Sequence, residues 1–196
     1  MNKNQNKLFN GLETVTNLFQ LNILWILFCL PIITAVPATV AMYCVIRQWI
    51  IHQDPGVYRS FIRFFKENFK KSFLIGLLLY AIAGFLYLNF FSILNFHYMR
   101  PLFLAIFIAF AVLFIGFTLF LFPVMAHYEG AIKTLLRNTL FFTIGRLFTT
   151  VTLLAIAFIS ALTVYAVPFS FFFIVSTGSY LIYIICHKTF TRVIET

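Results

Sequence analysis

Residues 72–94 read SFLIGLLLYAIAGFLYLNFFSIL, 23 consecutive positions without one charged side chain. At about 1.5 Å of rise per helical residue, such a run crosses a hydrocarbon core of about 30 Å. Residues 102–126, 147–167 and 169–186 repeat the pattern with 25, 21 and 18 uncharged positions, the last only just long enough. Between the last two, Val167-Pro168-Phe169 leaves almost no loop. Proline disfavours helix at the residue before it, so this junction is expected to be a tight hairpin, with one long kinked helix as the alternative.

Composition gives the same answer. Of 196 residues, 62% are hydrophobic and 10% charged, against roughly 25% charged in an average soluble domain. Twenty-eight Phe and nine Tyr suit lipid contact and interfacial anchoring. The expected fold is therefore all-α: a polytopic transmembrane helix bundle forming a single integral membrane domain over residues 1–196. A net charge of +9 could suggest nucleic-acid binding. The basic residues instead flank apolar spans, which points to membrane topology and an anionic inner leaflet, not to nucleic acid.

The N-terminal part leaves five or six membrane segments open. Residues 18–46 are uncharged but contain Pro31 and Pro37 with Thr34 between them. One kinked span there gives five crossings. Two segments, 8–30 and 36–51, give six and place both chain ends on one side. The excess of Lys and Arg on cytoplasmic loops favours the second: it gathers Lys3, Lys7, Arg47, Arg59, Arg63, Lys66, Lys70, Lys71, Lys133, Arg137, Arg146, Lys188 and Arg192 inside and leaves Arg100 outside. The expectation is a multi-pass plasma membrane protein with both termini cytoplasmic. A cleavable signal peptide fits poorly, because the polar lead-in is long and Pro37 falls inside any cut site.

Two basic amphipathic stretches are expected at the inner face. In residues 57–71, at 100° per residue, Arg59, Arg63, Lys66 and Lys70 share one narrow sector, opposite Tyr58, Phe61, Ile62, Phe65 and Phe69. Asp54 and Pro55 form a helix start ahead of it. Such a helix is expected to lie in the headgroup plane with its rings toward lipid. Residues 131–146 repeat the theme more weakly, with Lys133 and Arg137 four apart and an apolar stripe of Ile132, Leu135, Leu136 and Leu140. These cations are candidates for docking anionic lipid or a partner.

Catalytic chemistry is sparse. Glu13, Asp54, Glu67, Glu129 and Glu195 all fall in loops, tails or near helix ends, so no carboxylate sits at membrane depth to drive proton coupling. Phosphate-loop, zinc-protease and nucleophile-elbow motifs do not occur. Cys29, Cys44 and Cys186 lack metal-ligand spacing, and His52, His97, His127 and His187 are far apart in sequence. No catalytic, cofactor or metal site is expected. The polar residues inside the spans are expected to be helix-to-helix hydrogen bonds or self-satisfied hydroxyls. Asn22, Pro31, Thr34, Pro37 and Thr39 stand out, since backbone freed by a broken helix can line a polar path.

That break reads Asn22-Ile23-Leu24-Trp25, then Leu30-Pro31-Ile32-Ile33-Thr34-Ala35-Val36-Pro37-Ala38, and residues 64–70 read FFKENFK. Both stretches resemble the YesL-like family of bacterial membrane proteins of unknown function, whose N-terminal signature has the form N-L-L-W, L-P-x-x-T, then proline and alanine. The resemblance covers about the first 75 residues by motif and the rest by span layout. Val36 departs from it, since glycine is common just before that second proline. Membership implies a plasma membrane protein often encoded beside carbohydrate importers, sugar-responsive sensor kinases and glycan-degrading enzymes, and it implies no activity.

The leading expectation is a non-enzymatic accessory protein of carbohydrate uptake or its regulation, contacting a sugar importer or sensor kinase through the basic amphipathic helices. Glu129-Gly130-Ala131 is similar to the start of an importer-permease loop, but the downstream glycine spacing and Leu-Pro ending do not follow. The alternatives are a stand-alone small-solute transporter or channel using the Pro31 to Pro37 break, and a lipid-organising or assembly factor.

Overall fold

The computed structural model describes residues 3–52, 56–94 and 100–194, with side chains for 13–51, 56–93 and 100–191. Asp54, Pro55, His97 and Glu195 lie outside the described residues, as do the side chains of Lys3, Lys7, His52 and Arg192. Among the described residues the chain forms seven α-helices and no strand: α1 (Lys3–Cys29), α2 (Ala35–His52), α3 (Val57–Leu94), α4 (Arg100–His127), α5 (Ile132–Gly145), α6 (Leu147–Ala166) and α7 (Phe171–Ile194). Short 3-10 turns over Ile32–Thr34 and Pro168–Ser170 follow α1 and α6.

Among the described residues, five segments are long and apolar enough to cross a membrane: Ile32–Ile51, Val57–Ile93, Arg100–His127, Leu147–Ala166 and Pro168–Thr191. α1 is a sixth long helix, more mixed in composition. The single kinked span over residues 18–46 is not what forms. In a continuous helix Trp25 and Thr39 would stand about 21 Å apart at 1.5 Å per residue, yet the Trp25 indole donates to the Thr39 hydroxyl at 3.0 Å. The chain therefore turns back at Leu30–Thr34, where the Thr34 amide closes a turn on the Pro31 carbonyl at 2.9 Å. Pro37 lies in the first turn of α2, where its missing N–H leaves no helical bond unmade. The second expected hairpin also forms, with α6 returning as α7 and Ser170 donating to Thr163 O at 3.2 Å.

The amphipathic stretch 57–71 is not a separate helix ahead of the span 72–94. Both belong to α3, which runs 38 residues without interruption. Its ring face is turned toward the protein, not toward headgroups: Phe61 is fully buried, and Phe64 and Phe65 pack on the central cluster. Tyr58 alone of the expected ring face is largely exposed. In α5, Leu135 is buried and Ile132 and Leu136 are packed on the core, but Leu140 points outward and Phe142 takes the inner position. Here α5 folds back along α4, bringing Phe142 within 6.3 Å of Phe120.

The core surrounds α2. Ala38, Val40, Ala41, Val45 and Ile46 are fully enclosed, and the small side chains let neighbouring helices approach. A Cβ at Gly76 on α3 would stand 3.2 Å from the Val36 Cβ, and one at Gly116 on α4 would stand 2.8 Å from Thr150 Cγ2. The bulk of Val36, at the position where the family pattern favours glycine, is thus accommodated by a glycine on the facing helix.

Candidate functional site

Three places gather the residues singled out in the sequence. The first is the break between α1 and α2. Ending α1 frees its last carbonyls, and the Thr34 hydroxyl meets two of the carbonyls there, Phe28 O at 2.6 Å and Pro31 O at 2.7 Å. Tyr80 on α3 donates to Ile32 O at 2.6 Å. Thr39 accepts from Trp25 and donates to Ala35 O at 2.8 Å. Asn22, fully buried, donates from Nδ2 to Phe171 O at 2.7 Å and ties α1 to the start of α7, while its Oδ1 is buried without a partner. These polar groups close the backbone around the turn. Elsewhere the hydroxyls of Thr118, Ser160, Thr163 and Thr177 donate to the carbonyl four residues earlier, as self-satisfied groups in lipid do.

Thr39 also borders an open apolar pocket of about 450 Å³ between α1, α2, α4, α6 and α7, with Trp25, Tyr43, Phe122, Gly178 and Ser179 among its walls. A second apolar groove, about 540 Å³, lies between the far halves of α3 and α4 and is lined by Phe85, Phe103, Phe107 and Phe110.

The second place is the basic rim. Arg59, Arg63, Lys66 and Lys70 on α3 and Lys133 and Arg137 on α5 are all exposed. Arg63 is held in place, donating to Gln48 Oε1 at 3.2 Å with its guanidinium 4.8 Å from the Phe64 ring centre. On α3 the rim lies opposite rings packed on the core, Phe61, Phe64 and Phe65, whereas α5 leaves Leu140, Phe141 and Ile144 exposed.

The third place was not foreseen as a unit. Arg47, Glu67, Asn68, Lys71, Tyr128 and Glu129 border a polar cavity of about 210 Å³ where α2, α3 and the α4–α5 turn meet. Two cations shape it: Arg47 donates to Ala126 O at 2.9 Å and Lys71 to Gly130 O at 3.3 Å. Among the described residues no ion pair joins these cations to Glu67 or Glu129. Burial raises the Tyr128 phenol above its ordinary pKa.

Two of the histidines that sequence distance separates come together. The His127 and His187 rings lie 5.6 Å apart, and His127 Nδ1 is 3.3 Å from the Tyr183 hydroxyl. No group of three or more His, Cys, Asp or Glu side chains suited to a metal ion forms among the described residues.

Five apolar helices of spanning length around one helical core define a multi-pass membrane protein. Residues 18–90 match the model of a family described as protein of unknown function, DUF624. The chain is 30% identical over 181 residues to the uncharacterized protein YesL of Bacillus subtilis (strain 168), covering 90% of this chain and 84% of that one. Uncharacterized proteins YteU and YesV of the same organism are 28% and 30% identical, over 69% and 73% of this chain and 63% and 71% of theirs. The chain belongs to the YesL-like family. No solved structure matches it.

Proposed function

We propose that this chain is a non-enzymatic accessory protein of the plasma membrane whose basic rim faces the cytoplasm and docks a partner of carbohydrate uptake, a sugar importer or its sensor kinase. The observation that carries this reading is the use of the amphipathic faces. A helix that binds lipid by its rings leaves those rings outward; here Phe61, Phe64 and Phe65 are engaged in the core. The cations opposite them are presented on a rigid continuation of α3. Such a rim steers acidic partners and anionic headgroups toward itself. The carbohydrate setting rests on the family resemblance.

Crosslinking in native membranes of cells grown on a complex glycan, with neighbours identified by mass spectrometry, tests the reading. Importer subunits or a sugar-sensing kinase are expected, and reversing Arg59, Arg63, Lys66 and Lys70 to Glu removes them. Recovery of the chain itself and lipid alone would overturn it. The Phe-lined groove between α3 and α4 supports a second reading, a lipid-organising or assembly factor. Under that reading, filling the groove with Ser92→Trp alters lipid recovery while rim reversal leaves neighbours unchanged.

A further inference from the structure

We infer that the polar cavity bordered by Arg47, Glu67, Asn68, Lys71, Tyr128 and Glu129 is a binding site for a phosphoethanolamine zwitterion, supplied by the headgroup of an ethanolamine phospholipid. Depth is the first argument. Lys71 is the last charge before the uncharged run 72–94, and the run 102–126 ends just before Tyr128 and Glu129. The cavity therefore opens where the hydrocarbon ends and headgroups begin.

Charge is the second. Two cations and two carboxylates border the same space without pairing with each other, so neither a simple anion nor a simple cation meets a favourable field alone. A ligand bearing both signs satisfies both. A phosphate accepts from Lys71, whose ammonium keeps donors beyond its bond to Gly130 O, and from the remaining guanidinium N–H groups of Arg47. The primary ammonium donates to Glu67 and Glu129, a role the N–H-free ammonium of choline cannot fill. Size is the third, since 210 Å³ corresponds to about seven water volumes, the scale of a headgroup and not of a whole lipid. The site is separate from the docking rim and is tested without any partner.

The full chain in phosphatidylcholine nanodiscs doped with phosphatidylethanolamine or phosphatidylglycerol, assayed for retained lipid by native mass spectrometry, decides the matter. Preferential retention of the ethanolamine lipid is expected, with the Glu67→Gln/Glu129→Gln variant lowering its apparent affinity about tenfold or more, the scale of one lost charge-assisted contact. Both carboxylates are exposed, so an unchanged melting midpoint in pure phosphatidylcholine checks that the variant is folded. Lys71→Gln is expected to weaken retention without restoring a preference for choline. Equal retention of ethanolamine and choline lipids overturns the inference, as does a preference for phosphatidylglycerol or an unaffected carboxylate variant. Soluble phosphoethanolamine should compete the lipid away. If it binds while the lipid is not retained, the headgroup source is overturned in favour of a soluble zwitterion.

Discussion

The helices α2 and α4 are both apolar enough to span a bilayer, yet 61% of the most apolar window of the first is buried inside the protein against 6% for the second. Hydropathy does not separate them in the direction a soluble protein would suggest, since the exposed helix has the higher mean hydropathy, 2.8 against 1.3. In lipid no hydrophobic drive gathers helices, so close packing and hydrogen bonds decide which one is enclosed. α2 starts with Ala35, Ala38 and Ala41 and meets Gly76, whereas the first half of α4 offers large Phe, Leu and Ile side chains to its surroundings. α4 itself changes character at Gly116, its first buried residue.

The sharpest way to break this contrast is to add volume at the crossover. Gly116→Ala places a methyl 2.8 Å from Thr150 Cγ2 and is expected to destabilise by about 1–3 kcal/mol, the usual cost of overpacking. Thermal unfolding in detergent reads it. Adding Thr150→Ser removes that methyl while keeping the hydroxyl that donates to Thr143 O, and should recover most of the loss. If it does not, the contact is not what limits the site.

Next comes Asn22→Ala, which removes the tie between α1 and Phe171 O and is expected to cost about 1 kcal/mol, as intramembrane hydrogen bonds do. Thr39→Val, deleting the acceptor for Trp25 at similar volume, should cost about 0.5–1 kcal/mol and shift indole fluorescence. The smallest effect is expected at Gly84→Ala. A Cβ there meets nothing within 4 Å, so the change should be neutral or stabilising by no more than about 1 kcal/mol. A large loss at Gly84 would mean that the far half of α3 is covered by another chain.

The spans were legible because a run without charge has one physical meaning at that length. Residues 72–94, 102–126 and 147–166 lie within α3, α4 and α6 and residues 171–186 within α7, although α3 begins 15 positions before its uncharged run and α7 continues eight positions past its own. The reversal at Pro31 was legible only as one of two options, since the contact that decides it, Trp25 to Thr39, is tertiary. The fate of residues 57–71 was hidden for another reason. A stripe of rings has the same periodicity whether lipid or protein covers it, and no proline or glycine separates Lys70 from the span that follows. Arg47, Glu67, Lys71 and Glu129 come from three elements, so their shared cavity had no local signature. The pairing of His127 with His187 across 60 positions had none either.

The uninterrupted course of α3 makes it a lever. Residues 57–71 project roughly 22 Å beyond the start of the uncharged run, at 1.5 Å per residue. Because Phe61 and Phe65 pack against Phe28 of α1, a tilt of about 10° in response to bilayer thickness swings that end by roughly 4 Å only together with the helix packed on it. Arg59 and Arg63, near that tip, would travel furthest, while Lys71, at the fulcrum, would stay almost in place.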